Sequence, residues 1–151
     1  MKKLLLFFLL LTSCGSDDVN CPYAELPILI NAPDDLTLEA IDIWNEAMGV
    51  PVFEDSASGV SVKYVESLGP LRGEAHWYCT SGFKDSSWVE IEEGHSEKST
   101  LGVIAHELGH VLGMRHTDYG IMRLSAPNLS IEKNVSAMSD YFFDLYPDYA
   151  N

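Results

Sequence analysis

The chain has 151 residues, of which 46% are apolar and 21% are charged. That length suits a single domain with a core of ordinary size. The formal net charge is −14, and it becomes more negative still without residues 1–13, which carry Lys2 and Lys3 and no acidic residue. Such a surface repels nucleic acid and anionic lipid headgroups, so neither is an expected partner.

The first 13 residues have the pattern of an export signal. Two lysines precede an apolar run from Leu4 to Leu11, which is far shorter than the roughly 20 residues that span a bilayer. The next four residues, Leu11-Thr12-Ser13-Cys14, resemble the lipobox of bacterial lipoproteins. The resemblance implies a signal peptide over residues 1–13, a lipid on Cys14 that attaches the chain to a membrane, and a place in the bacterial cell envelope or on the cell surface. An ordinary cleaved signal is the alternative.

Residues 14–26 are predicted to be a lipidated tether, because Gly15, Ser16, Asp17 and Asp18 offer little surface to bury. Residues 27–151 then form the folded domain. With Cys14 lipidated, Cys21 and Cys79 remain as an even pair. In an exported protein such a pair favours one disulfide.

Apolar patterning predicts the elements of the domain in chain order. A buried strand is expected near residues 26–30, followed by a helix that Asp34 or Asp35 caps and that Gly49 ends. Its apolar residues recur at helical spacing and include Trp44, which is read as a core side chain. Further strands are predicted at 60–65, 74–79 and 88–91, a helix from Ser99 or Thr100, and a last amphipathic helix over about 136–146.

The second of these helices carries a metal-binding pattern. His106 and His110 are four residues apart and therefore lie on one helix face, with Glu107 beside them. Gly113 suits a sharp turn after the helix, which lets His116 return to the same ion. Three neutral imidazoles leave a fourth tetrahedral position for water, which is the arrangement of catalytic rather than structural zinc.

This stretch, with Met122 six residues after His116, resembles the metzincin metallopeptidases, whose signature is HExxHxxGxxH followed by a Met-turn. The resemblance implies an α+β (α/β-like) domain with a twisted mixed sheet, an antiparallel edge strand, an active-site helix and a C-terminal helix. It also implies that residues 88–93 form the exposed edge against which an extended substrate lies, and that residues 117–135 form the floor and the S1′ wall. If Glu90 or Glu92 faced that cleft, basic substrates would be preferred.

The implied activity is zinc-dependent cleavage of peptide bonds in extracytoplasmic proteins or peptides. His106, His110 and His116 would hold one zinc ion, Glu107 would serve as general base and then acid, and Met122 would lie beneath the site as a non-ligand. The domain looks closest to a minimal matrixin-like one. Thr117 and Leu124 depart from the residues that astacins and serralysins have at these positions.

Several alternatives stay open. A cysteine that masks the metal is disfavoured for Cys21, because the matrixin switch motif is missing around it. His76 and His95 are interpreted as surface or core histidines, so the sequence supports neither a structural calcium ion nor a second zinc ion. The chain is expected to be a monomer whose partner is a peptide or protein substrate. The competing functions are a catalytically silent zinc-containing binding lipoprotein and a zinc hydrolase of a non-peptide substrate.

Overall fold

A computed structural model describes residues 21–124 and 130–150 of the chain. The predicted signal peptide and Cys14 lie outside the described residues, as does part of the predicted S1′ wall. The fold is α+β, as predicted, with one five-stranded mixed sheet and the helices that pack on it. Within the described part of the chain, no helix is both long and apolar enough to cross a bilayer.

The sheet has the order β2-β1-β3-β5-β4. Its first four strands in that order run parallel, and β4 pairs antiparallel with β5 at one edge. The strand bounds are β1 Ile28–Asn31, β2 Phe53–Asp55, β3 Val60–Val65, β4 Gly73–Thr80 and β5 Phe83–Glu92.

The prediction that residues 88–93 form the antiparallel edge is wrong. These residues belong mostly to β5, which lies inside the sheet between β3 and β4. The antiparallel edge strand is β4. Ser81 and Gly82, both with positive φ, make the tight turn that folds β5 back along it. The returning strand then pairs in parallel with β3, with Val62 opposite Val89.

The helices are α1 Asp35–Met48, α2 Glu97–Val111, α3 Ile131–Ser136 and α4 Ser139–Leu145. Asp34 caps α1 by accepting the N–H of Thr37 at 2.9 Å, and Gly49 ends that helix with φ 70°. Helix α2 begins earlier than predicted, because Ser96 is the residue that caps it and accepts the N–H of Ser99.

The predicted last helix over residues 136–146 is two shorter helices. The N–H of Met138 bonds to the carbonyl of Val135, three residues back, so the chain tightens between α3 and α4. Met138 is fully buried at this break. A short 3-10 turn, Pro147–Tyr149, follows α4.

The core fills the space between the sheet and the helices. Its largest fully buried side chains include Trp44, Phe53, Ile104, Leu108 and Phe142. Trp44 lies at the contact of α1 with α2, where its indole N–H donates to the carbonyl of Ala105 at 3.0 Å. This buried bond fixes the height and rotation of α2 relative to α1.

The first described residues pack against the domain. Cys21 is 4% exposed and is joined to Cys79 by a disulfide with its Cα atoms 6.4 Å apart. The hydroxyl of Tyr23 bonds to that of Ser87 at 2.6 Å, and the N–H of Leu26 donates to the hydroxyl of Tyr149. Residues 21–26, the described end of the predicted tether, are therefore part of the folded domain.

Candidate metal centre

Helix α2 separates the core from the candidate site. The apolar residues along its inner face are all buried, namely Leu101, Ile104, Ala105, Leu108, Val111 and Leu112. His106 and His110 project from another side of the helix and meet His116, which lies beyond its end. The spacing in the sequence therefore brings the three predicted ligands together.

The three imidazoles converge through their Nε2 atoms. His116 Nε2 lies 3.3 Å from Nε2 of His106 and 3.1 Å from Nε2 of His110. On the opposite side of each helical imidazole, Nδ1 of His106 bonds to the carbonyl of Ile121 at 2.7 Å, and Nδ1 of His110 bonds to the carbonyl of Met114 at 2.8 Å. A carbonyl can only accept, so both Nδ1 atoms carry the proton and both Nε2 lone pairs face the cluster.

This donor set fits zinc. Ligands about 2.0–2.1 Å from a tetrahedral ion lie about 3.3–3.4 Å from one another, close to the two Nε2 separations of 3.3 and 3.1 Å. Burial lowers the pKa of His106 to about 4 and that of His110 well below its usual range. Both rings are therefore neutral at neutral pH, as metal ligands must be.

Glu107 follows His106 on α2 and is almost fully enclosed, at 4% exposure. Its Oε2 is buried and has no hydrogen-bond partner among the described residues. Burial, with a smaller contribution from the Glu74 carboxylate, raises the pKa of Glu107 to about 8, and the hydrogen bond with the backbone of Ala75 works against that rise. A carboxyl with such a pKa is suited to take up a proton near neutral pH and to release it again.

Gly73 makes room for this carboxyl on the edge strand. A Cβ at Gly73 would lie 2.8 Å from Oε1 of Glu107 and 2.5 Å from a side-chain methyl of Val103. A side chain at this point of β4 would therefore force the side chains of Val103 and Glu107 to move. No local signal in the sequence marks Gly73, since its role depends on the packing of β4 against α2.

The turn after α2 returns the chain to the cluster. Gly113 has φ 95°, and a Cβ there would lie 2.7 Å from the backbone N of Pro22 and 2.8 Å from the backbone of Cys21. The predicted sharp turn at Gly113 is present, and only glycine fits it, for both conformational and steric reasons. The N–H of Met114 then bonds back to the carbonyl of Gly109 at 3.0 Å.

Met122, the predicted Met-turn residue, is fully buried. Its Sδ is only 2.2 Å from the position that a Cβ on Gly109 would occupy, so glycine in α2 is what lets the methionine approach the helix. The carbonyl of Met122 accepts the N–H of Thr117 at 3.1 Å, which ties this segment to the chain next to His116.

Lys84 is a buried residue that the sequence analysis missed. It is 6% exposed, and its ammonium donates to the carbonyls of His110 and Val111, the latter at 2.8 Å. The Nζ atom also lies 4.8 Å from the ring centroid of Trp77. Burial lowers the pKa of Lys84 to about 7. In the sequence, a lysine near a turn has the pattern of an exposed residue, and no local signal distinguishes it.

The other face of the sheet carries a second group of potential ligands. Nε2 of His76 lies 3.7 Å from a carboxylate oxygen of Glu74 and 3.3 Å from one of Glu90. The pairing of Glu74 with Glu90 across β4 and β5 creates this group, which the sequence alone did not reveal. These residues alternate with buried Ala75 and Val89 and therefore point away from α2.

That orientation removes the proposed reason for a preference for basic substrates. Glu90 lies on the sheet face opposite α2. The carboxylate of Glu92 accepts the N–H of Leu68 and is hydrogen-bonded to Nε2 of His95 at 2.9 Å. Neither glutamate faces the histidine cluster. His95 is thus a partner of Glu92 and is not part of the candidate metal centre.

A groove of about 460 Å³ opens beside the cluster. Its floor and walls come from the turn that carries His116 and from α4. The lining residues are Arg115, His116, Thr117, Tyr119, Asp140, Tyr141 and Asp144.

Residues 80–135 match the family described as dual-action HEIGH metallo-peptidase. The match covers about a third of the chain, and it contains the three histidines, Glu107 and Met122. This chain has Leu108 at the third position of the five-letter motif, where the family description has isoleucine, and the apolar side chain is fully buried. No curated protein matches the chain. The family match and the convergent histidines together support a metallopeptidase that is metzincin-like.

Proposed function

We propose that the protein is a zinc-dependent endopeptidase that hydrolyses peptide bonds in extracytoplasmic proteins or peptides. The observation that carries the proposal is the convergence of three imidazole Nε2 atoms, with the buried Glu107 following His106 on the same helix. His106, His110 and His116 would hold the zinc ion. When bound, zinc supplies a Lewis acid that lowers the pKa of a water and polarises the carbonyl of the scissile bond.

The residues of the chain then have distinct tasks. Glu107 accepts a proton from the attacking water at its carboxylate and donates it to the departing amine. Ile121 and Met114 keep the imidazoles oriented through their carbonyls. Strand β4 is the edge of the sheet in the described part of the chain, lies next to α2 and offers main-chain groups to an extended peptide. The groove at His116 offers space for substrate side chains.

We also propose that the protein is exported and is anchored through a lipid on Cys14. The Cys21–Cys79 disulfide supports export, since disulfides persist mainly outside the cytoplasm. Cys14 is seven residues before Cys21, so the anchor would hold the domain close to the membrane surface. The strongly acidic chain gives no reason to expect nucleic acid as a partner, and a monomer suffices to build the site.

The experiment is cleavage of casein and of a peptide library by residues 15–151, with zinc, with a chelator, and with Glu107→Gln as the matched variant. Endopeptidase activity that the chelator removes and that Glu107→Gln lacks supports the proposal. Stoichiometric zinc without cleavage of any peptide would instead favour the binding lipoprotein. Turnover of ester or amide substrates without peptide cleavage would favour a non-peptide hydrolase.

A further inference from the structure

Lys84 places a buried cation at the end of the active-site helix. The last carbonyls of an α-helix have no N–H partner within the helix, and the partial negative charge there favours a cation. The N–H of Arg115, four residues beyond Val111, donates instead to the hydroxyl of Tyr141 at 3.0 Å. The carbonyl of Val111 is bonded by the Lys84 ammonium at 2.8 Å, and the same ammonium also bonds the carbonyl of His110.

An irregularity in the sheet directs Lys84 towards the helix. Tyr78 pairs with Ser86, but the next residue of β4, Cys79, pairs with Lys84, so Asp85 is an extra residue on β5. Regular alternation from buried Val89 would put residue 84 on the outer face of the sheet. The bulge turns its side chain to the α2 face instead, which is a recurrent use of bulges beside functional sites.

The two carbonyls belong to the segment that sets the ligand geometry. His110 and His116 are separated by one turn, and the Nδ1 of His110 is oriented by Met114 within that turn. The Lys84 ammonium, which reaches across from the sheet, bonds the two carbonyls at which this turn begins. Its own N–H donates to the carbonyl of Pro22 at 3.0 Å, so its backbone is held as well.

From these contacts we propose that Lys84 is a positioning residue of the metal centre, which fixes the end of α2 so that the imidazoles of His110 and His116 converge. It contacts neither substrate nor metal and acts through the carbonyls of His110 and Val111. The inference rests on the three-histidine ligand set of the proposed function. It predicts that loss of the ammonium weakens metal binding beyond any effect on folding.

The test measures the dissociation constant of Zn²⁺ by competition with a chromophoric chelator, on the full mature chain. Lys84→Met keeps the length and removes the donor, and Lys84→Arg keeps a donor. Asp34→Ala destabilises α1 through its cap and removes the side-chain bonds to Thr37 and Tyr64, which are not ligands. We expect Lys84→Met to weaken zinc binding about 10- to 100-fold, which is the usual effect of removing a group that orients a ligand. Lys84→Arg should restore most of the affinity, and Asp34→Ala should leave it unchanged.

The visible absorption of the Co²⁺-loaded protein gives a second readout. The d–d bands of Co²⁺ report ligand geometry, so they should shift in Lys84→Met and stay as in the wild type in Asp34→Ala. Wild-type zinc affinity in Lys84→Met would overturn the inference, and so would an equal loss of affinity in Asp34→Ala. If Lys84→Met does not fold, Lys84→Gln replaces it, because the glutamine side chain is too short to reach both carbonyls. Wild-type zinc affinity in Lys84→Gln would then overturn the inference. A wild-type chain that binds no zinc would refute the ligand set itself.

Discussion

Replacing Glu107 by glutamine removes a single ionisable group from the site and keeps its shape. In the folded, metal-free protein, burial raises the pKa of this carboxyl to about 8 from its ordinary value of 4.5. Between these two pH values the folded state holds a proton that the unfolded state releases. The unfolded state therefore binds fewer protons, and the free energy of unfolding must fall as the pH rises through this window.

The magnitude follows from the size of that window. Each pH unit within it costs about 1.4 kcal/mol, so the wild type should lose roughly 2 kcal/mol between about pH 6 and pH 8 relative to Glu107→Gln. Lys84 has the opposite effect above pH 7, because its pKa is lowered to about 7 in the folded state. It is present in both proteins, so the difference between them isolates Glu107.

The assay is urea unfolding of the chelator-treated wild type and of Glu107→Gln, followed by circular dichroism at several pH values. The gap in free energy of unfolding between the variant and the wild type should widen in favour of the variant as the pH rises. In the zinc-loaded state the same variant should lose peptidase activity by at least about 100-fold, the lower range for a general base. Parallel stability curves for the two metal-free proteins would refute the reasoning about the buried carboxyl.

Three further predictions concern the fold around the site. Gly113→Ala should destabilise the protein by about 2–3 kcal/mol in urea unfolding, because φ is 95° and the Cβ would meet backbone atoms of Cys21 and Pro22. The control Gly82→Ala, with φ 87° and open space around it, should cost only about 1 kcal/mol. Equal costs for the two variants would show that the clash with Cys21 and Pro22 contributes nothing. Asp34→Ala should cost about 1 kcal/mol near neutral pH through loss of the α1 cap. Burial raises the pKa of Asp34, but hydrogen bonds from Tyr64 and Thr37 outweigh burial and lower this pKa in the folded state. The cost of Asp34→Ala should therefore shrink as the pH falls below about 4. A cost independent of pH would count against an ionised cap. Removal of zinc should lower the melting temperature of the wild type but not that of His110→Ala, since zinc at about 1,000 times its dissociation constant adds about 4 kcal/mol to the free energy of unfolding. An equal drop in the variant would place the stabilising ion elsewhere.

Local signals in the sequence predicted the elements that depend on neighbours along the chain. Asp34 and Gly49 bound α1 because a cap and a left-handed glycine act within one helical turn. The ligand histidines were predictable for the same reason, since four residues of helix and one turn bring them together. Helix α2 began earlier than predicted because Ser96 and Ser99 are both capping residues, and only the bond between them identifies the first as the cap.

The features that sequence reasoning missed depend on contacts between distant segments. Whether β4 or β5 occupies the edge depends on which of the two strands pairs with β3. The alternation of apolar residues along the strands does not determine that choice. The grouping of His76 with two glutamates depends on the register of β4 against β5. Lys84 is buried only because a one-residue bulge rotates it, and nothing in the residues around it signals that rotation.

The disulfide has a consequence for the topology of the whole chain. Cys21 and Cys79 are 58 residues apart, and the loop that they close contains α1, the first three strands and nearly all of β4. The segment from His106 to His116 lies entirely outside this loop and would be closed by zinc. With zinc bound, the chain would have two successive closed loops that share no residue, the first sensitive to reductants and the second to chelators. Closing a loop of the first size raises the free energy of unfolding by about 4 kcal/mol by reducing the entropy of the unfolded chain. A reductant would therefore loosen the disulfide loop while the segment from His106 to His116 stays closed, and a chelator would do the reverse.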